Sequence, residues 1–261
     1  MKRKTMRRDF FMEIRRSLNR FLSIFFIVAM GVAFFTGIRA SEPDLRLTGD
    51  QYFDERAMMD LRVVGTLGLT EADVAALRAV EGVRDAEPSY MADVKCDIGN
   101  NEKILHVEAL AARFNHIDVI EGRLPERADE CLVDAHRFAD YGVGIGDTIT
   151  LRSGTDAAIA DTFAHETYTI VGLCASPLYI SFDTGSTSIG SGKVDSYLYV
   201  PAEAFSSEVY TQIWLSVEGA AAQTAYAEAY SETVARVQER VESIAGGRCE
   251  ARYDDVTTAA K

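Results

Sequence analysis

Phe21-Leu-Ser-Ile-Phe-Phe-Ile-Val-Ala-Met-Gly-Val-Ala-Phe-Phe-Thr-Gly-Ile38 runs for 18 residues without a charge. As a helix it spans about 27 Å, close to the hydrocarbon thickness of a bilayer. Eleven of its side chains are Leu, Ile, Val or Phe. At the usual per-residue insertion energies they favour the membrane by roughly 3–7 kcal/mol, before the smaller penalties of Gly, Ser and Thr. A cleaved leader is the competing reading. It would need cutting after Ile38-Arg39-Ala40, a poor site with a charge beside it, and its apolar region would exceed the usual 7–15 residues by a few. The stretch therefore reads as an anchor over residues 21–40.

The flanks orient it. Residues 1–20 carry eight basic side chains (Lys2, Arg3, Lys4, Arg7, Arg8, Arg15, Arg16, Arg20) against Asp9 and Glu13, and only Arg39, Arg46 and Arg56 follow in the next 20. That bias places the N-terminus in the cytoplasm. Phe10, Phe11, Ile14 and Leu18 form an apolar stripe opposite Arg7, Arg8, Arg15 and Arg16. Two readings fit this stripe equally, an amphipathic helix lying in the inner membrane interface or a cytoplasmic extension of the spanning helix. The 261 residues have a formal charge of −13; residues 1–20 hold +6 of it, which leaves −19 for the rest. So acidic an outer part argues against nucleic acid as a partner.

Residues 41–60 read as a short polar lead out of the bilayer. Leu61–Leu67 then has the look of a strand, and Thr70-Glu-Ala-Asp73 opens a helix whose Val74, Leu77 and Val80 share a face before Gly82 stops it. From Tyr90 to Ile98 the residues alternate, with Tyr90, Ala92, Val94, Cys96 and Ile98 against Met91, Asp93, Lys95 and Asp97, as in a half-buried strand. Gly99-Asn100-Asn101 turns it into a second strand at 103–110. A second β-α-β pattern lies near the C-terminus: an alternating strand at 209–217, a helix at about 220–245 ending at Gly246-Gly247, and alternation at Cys249, Ala251 and Tyr253. Two such units predict an α+β fold, a sheet covered on one face by two helices. Strand-like runs at 131–133, 148–151, 168–171 and 196–200 predict a mostly β insertion. The expected division is thus 41–112 with 206–257 as a porter-like α/β part and 113–205 as the insertion.

No constellation points to catalysis, a cofactor or a metal, so no catalytic, cofactor-binding or metal-ligating residue is assigned. Gly185–Lys193 has glycines and a lysine but not the spacing of a phosphate loop, and a strand rather than a helix follows. Gly142-Val-Gly-Ile-Gly146-Asp147 reads as a turn. His106, His116, His136 and His165 lack ligand spacing, and Trp214 reads as a packing residue. Cys96, Cys131, Cys174 and Cys249 form no C-x-x-C pair. Buried free thiols are the favoured reading; outside the cell two disulfides are open to them, in any of three connectivities.

The ordered pieces resemble the N-terminal part of bacterial ABC-transporter permeases of the FtsX/MacB type. The resemblance rests on Arg15-Arg16-Ser-Leu-Asn-Arg-Phe-Leu-Ser-Ile24 leading into the apolar stretch, Pro43-Asp44, Asp50-Gln-Tyr-Phe-Asp-Glu55, and Leu61-Arg-Val-Val-Gly-Thr-Leu-Gly-Leu-Thr70. Further on come Ile145-Gly-Asp147, Tyr168-Thr-Ile-Val-Gly172, Ser176-Pro-Leu-Tyr-Ile180 and Lys193-Val-Asp-Ser-Tyr-Leu-Tyr-Val-Pro201. It implies a plasma-membrane permease whose residues from 41 form a MacB-like periplasmic core domain. It also implies a separate cytoplasmic ABC ATPase subunit, a second permease copy and contact with membrane lipid. Members of the family export or extract peptides, lipoproteins or drugs, or regulate cell-wall hydrolases. They have at least four membrane helices where this chain has one, so a partial chain is expected, and no ATPase-coupling residue carries over. The alternative reading is a signal-anchored ligand-binding or sensor domain; an anchored extracellular enzyme ranks below it.

Overall fold

The structure, a computed structural model, describes residues 2–98, 101–181 and 183–259. The chain divides into two compact units, 1–49 and 50–261. In the first, helix α1 (Lys2–Arg16) is followed by the start of α2 (Leu18–Glu55). Only a bend at Ser17 separates them, and helical bonding runs through it: Ser17 N–H donates to the Glu13 carbonyl (3.0 Å) and Phe21 N–H to that of Ser17 (2.9 Å). No residue of α2 is buried, and Phe25, Ile27, Phe34 and Phe35 are all more than half exposed. It is the one helix among the described residues long and apolar enough to cross a membrane. An apolar surface of that size needs a nonaqueous cover.

The helix continues to Glu55, so the polar lead expected over 41–60 is corrected to helix for most of its length. The signal was present: Ser41-Glu-Pro-Asp44 is a helix-start signature, with Pro early and acids in the first turn. Glu42–Arg46 (2.9 Å) and Thr48 Oγ1 donating to the Asp44 carbonyl (2.8 Å) brace the turns around Pro43.

The second unit contains two sheets. In the first, β1 (Leu61–Leu69), β2 (Val83–Ser89) and β10 (Tyr210–Val217) lie in the order β1-β10-β2, each neighbour antiparallel. Helix α3 (Glu71–Arg78) connects β1 to β2, and α5 (Glu228–Ala259) follows β10. The Asp73 carboxylate accepts from the N–H and hydroxyl of Thr70, both at 2.8 Å, fixing the start of α3. Val74 and Leu77 of α3 and Val234, Val237, Val241 and Ile244 of α5 pack with Ile213, Leu215 and Val217. One sheet face is therefore covered by two helices, as expected.

The C-terminal strand expected at 249–253 is instead helix, and α5 begins at Glu228 rather than near 220. Two glycines in a helix interior cost about 2 kcal/mol together relative to Ala. Tertiary contacts beyond them offset this: Arg248 Nε meets Asp73 Oδ1 at 2.7 Å, and Arg252 Nε donates to the Leu67 carbonyl at 3.1 Å. The sheet thus has three strands, and only β1-α3-β2 is a complete β-α-β unit.

The second sheet holds β3 (Met91–Ile98), β4 (Asn101–Ala109), β5 (Asp118–Gly122), β6 (Glu130–Asp134), β7 (Thr148–Ser153), β8 (Thr167–Ala175) and β9 (Ser196–Val200), with helix α4 (Ala135–Tyr141) after β6. Its order is β5-β8-β6-β9-β4-β3-β7, and β7 also pairs with β8. The ladder therefore closes into a six-stranded barrel with β5 added at the side. Val94, Cys96, Leu105, Val107, Cys131, Ile149, Leu151, Ile170 and Leu198 fill its interior. Alternation in β3 places the expected face inside; the turn expected at Gly99-Asn100 lies outside the described residues, but Ile98 pairs with Asn101. Residues 91–109, grouped in the sequence reading with the porter-like part, supply two barrel strands, because their alternating apolar face belongs to the barrel core. The chain passes between the sheets at Tyr90 and again over 201–209.

Candidate functional site

The residues joining the two sheets carry a set of buried polar contacts. At the crossing, the Met91 N–H donates to Thr211 Oγ1 (2.6 Å) and the Ala109 N–H to the Tyr90 carbonyl (2.9 Å). The Tyr90 ring stacks on Phe205 at 5.1 Å and meets Tyr210 at 5.2 Å. Both passages of the chain are thus clamped at one aromatic cluster.

Beside it, strand periodicity sets up a contact through polar side chains. In β4, Leu105, Val107 and Ala109 enter the barrel core, so Ile104, His106 and Glu108 must face outward. In β10, Ile213 and Leu215 face the helices, so Gln212, Trp214 and Ser216 face the other way. The Glu108 carboxyl, 1% exposed, accepts from Gln212 Nε2 at 2.8 Å and from Tyr179 Oη at 2.9 Å. Burial pushes its pKa up to about 7, although Tyr179, Gln212, His106 and Arg62 favour the charged form. Burial and the neighbouring Glu108 charge raise the Tyr179 phenol. Tyr179 stacks on Tyr197 at 4.4 Å, and His106 pairs with Asp93.

A second grip lies two residues back along β2. The buried Glu87 carboxylate accepts three successive backbone N–H groups, from Ala112 (2.9 Å), Arg113 (3.1 Å) and Phe114 (3.1 Å). Arg113 turns back to hold Asp85 at 2.6 and 2.8 Å and the Ala86 carbonyl at 3.0 Å. The segment after β4 is thereby fastened to the three-stranded sheet.

The end of α2 and the residues leading from it to β1, within this unit, touch both sides. Met58 N–H donates to the Phe53 carbonyl (3.0 Å) and Ala57 N–H to that of Asp54 (3.1 Å), closing the helix with Ala57 at φ 47°. That left-handed position is usually glycine. Towards the barrel, His116 N–H donates to the Arg56 carbonyl (2.8 Å), Asn115 N–H to that of Ala57 (3.0 Å), and Arg56 pairs with Asp118. Towards the three-stranded sheet, Ala225 N–H donates to Asp50 (2.6 Å), Val217 N–H to Asp60 (2.7 Å) and Tyr230 Oη to Asp60 (2.7 Å). Between these elements lies a cavity of about 350 Å³, whose walls include Phe53, Asp60, Arg113, Gln223 and Tyr226.

Of the features weighed for chemistry, His106, His116 and Trp214 enter this joint, His116 through its backbone N–H. Gly185–Lys193 forms a loop closed by a Ser186–Lys193 bridge and leads into β9. Gly142 ends α4 with φ 69°, and Asp147 accepts from the Gly144 N–H at 2.9 Å, a turn. Trp214 is buried in β10. All four cysteines are free thiols, three buried and Cys249 exposed. Among the described residues no three His, Cys, Asp or Glu side chains lie together as metal ligands.

Sequence reading missed Glu87, Glu108 and Gln212. Glu108 left a trace: in Ile104-Leu-His-Val-Glu-Ala109 two ionisable residues share a strand face inside an apolar run. Glu87 left none, because its three partners are backbone amides.

An apolar helix joined to an α+β domain with two clamped sheets defines a membrane-anchored protein with a domain outside the bilayer. Residues 21–243 match the MacB-like periplasmic core domain, and the chain belongs to that family, which is found in ABC-type transporter permeases. Similar solved structures include the extracellular domain of the noncanonic ABC-type transporter YknZ from Gram-positive bacteria, at 13% identity and TM-score 0.38, covering 66% of this chain and 83% of that one. The periplasmic region of MacB from Actinobacillus actinomycetemcomitans matches at 10% identity and TM-score 0.39, covering 70% and 76%. No curated protein matches the chain in sequence.

Proposed function

We propose that the chain is a permease subunit of an ABC-type transporter whose outer domain transmits movement driven by a separate cytoplasmic ATPase. The observation that carries this reading is the end of α2 and the segment that follows it: Asp50 and Asp60 hold the three-stranded sheet while Arg56 and Ala57 hold the segment leading to β5. A displacement of the end of α2 would reach both sheets directly. The reading puts the N-terminus in the cytoplasm of a bacterial plasma membrane, α2 in lipid, and a second permease copy beside it. It divides the outer domain at Tyr90 and over 201–209, giving a three-stranded lever and a barrel. The chain has no turnover of its own in this reading; substrate export, substrate extraction and control of an envelope partner are the outputs it serves.

Cys249 offers a direct test of orientation, since it is the exposed thiol and the other three are buried. A membrane-impermeant maleimide should label it in intact cells in which the outer wall has been made permeable. Labelling that appears only after the plasma membrane is lysed would sink the orientation and the permease reading with it.

The cavity favours a second reading, a signal-anchored ligand-binding or sensor domain, because 350 Å³ falls within the usual range of small-molecule sites. Copurification with an ATPase supports the permease; a lone chain whose melting temperature rises with a small solute supports the sensor.

A further inference from the structure

The Glu108 carboxyl has an unusual set of partners for a group at a joint. It is 1% exposed, and its two hydrogen bonds come from neutral donors, the Tyr179 phenol and the Gln212 amide. Arg62 on β1 and His106 on β4 face it, but among the described residues neither makes an ion pair with it. His106 is engaged by Asp93. Tyr199 on β9 lies on its remaining side and is held by Ser176 at 2.6 Å. An ionised carboxylate has about four acceptor sites, and two donors leave it short of the hydration it would have in water. A protonated carboxyl fits the same cage without that penalty. The Tyr179 bond can turn round, the acid O–H donating to the phenol oxygen, while Gln212 continues to donate to the carbonyl oxygen.

We infer that Glu108, Tyr179 and Gln212 form a proton-controlled latch between the barrel and the three-stranded sheet: the protonated acid holds the sheets together and its ionisation favours their parting. The inference concerns the joint of the permease reading but rests on this cage alone. The direction follows from linkage. The latched carboxyl has its pKa raised from 4.5 to about 7, so the closed joint binds the proton more tightly than an open, hydrated one. Its contribution is complete below pH 4.5, declines as pH rises through 7, and is constant above. The opening equilibrium should shift by roughly tenfold per pH unit inside that window, and by on the order of 100-fold across it.

Trp214, the one tryptophan of the chain, provides the readout. It lies two residues from Gln212 on the same side of β10 and is 1% exposed. Acrylamide quenching of its emission should be followed from pH 4.5 to 9 on the full chain in lipid nanodiscs, with far-ultraviolet circular dichroism confirming that the fold persists. Quenching should rise with a midpoint near pH 7. Glu108→Gln, which keeps a neutral group in the cage, should remove the transition and leave Trp214 protected throughout. Imidazoles as a class change charge in the same range, so His106→Gln is the control and should keep the transition. A wild-type profile without a transition, a transition that survives Glu108→Gln, or one lost in His106→Gln would each overturn the latch. If Glu108→Gln does not fold, Tyr179→Phe decides: it deletes a donor to the charged form, so the midpoint must move to higher pH, and an unmoved midpoint overturns the proposal. Because the readout is local and needs no ATPase, its failure leaves the permease reading standing.

Discussion

The barrel and the three-stranded sheet bury apolar residues equally well but are held in different ways. The barrel closes on itself through the double pairing of β7, with β3 on one side and β8 on the other. Its core residues Leu105, Leu198 and Ile170 are fully buried, in a cluster that Phe138 of α4, Phe163 and Phe205 complete from outside the ring. The three-stranded sheet has two edges, β1 and β2, and the pairing of β1 with β10 is interrupted between Val64 and Leu69. One face is covered by α3 and α5, and the other is fastened by polar side chains: Gln212 to Glu108 and Glu87 to three amides. Apolar packing tolerates little displacement, whereas a few hydrogen bonds can exchange with water at a net difference of about 1 kcal/mol each. In the permease reading proposed above, the barrel is the fixed body and the sheet the part released from it.

The largest effect should come from the barrel. Leu198→Ala removes a fully buried side chain from the ring interior, and such truncations cost about 2–5 kcal/mol. Urea unfolding followed by circular dichroism should show the loss across the whole transition. A change below about 1 kcal/mol would mean that the ring can collapse around the void, and the description of the barrel as the rigid half would fail.

A smaller and more local loss is expected for Glu87→Ala. Three backbone N–H groups lose their acceptor, one of them at the buried Phe114. Part of that segment can turn to water, so about 2–3 kcal/mol is expected. Hydrogen exchange should quicken at Ala112–Phe114 and along β2 while the barrel strands keep their protection. If protection instead falls evenly over both sheets, the two behave as one cooperative unit and the comparison breaks down.

How legible this architecture was depended on which forces set each element. Where apolar period decides, as at Val94, Cys96 and Ile98 of β3 or Val74 and Leu77 of α3, the sequence pattern matched the elements formed. The barrel's closure was not legible, because β7 reaches both β3 and β8 through backbone bonds that no side chain announces. The joint was legible only in part. Glu108 could have been noticed as an acid in an apolar run, but Asp50 and Asp60 look like any acids in a stretch, 21–261, that carries −19, and Glu87 acts on amides. The boundary between the sheets was hidden because Tyr90 opens the alternating stretch of β3, and period alone does not say which sheet a strand joins.

The misread C-terminus gives the smallest and cleanest comparison. Gly246-Gly247 has the composition of a helix stop, yet α5 runs through it to Ala259, and a Cβ at either position would meet nothing within 4 Å. No close approach and no left-handed backbone requires these glycines. What carries the helix past them is the far side of α5, where Arg248 reaches the Asp73 carboxylate that also caps α3. Burial alone would raise the pKa of Asp73, but Arg248 and Thr70 together hold it below its usual value. Gly246→Ala should therefore stabilise the three-stranded sheet's helix by about 0.5–1 kcal/mol, through lower backbone entropy in the unfolded chain and better helix propensity. The gain should appear as slower hydrogen exchange in the last three turns of α5, with the barrel unchanged. A destabilised Gly246→Ala would show that the glycine pair is wanted as a flexible point in α5.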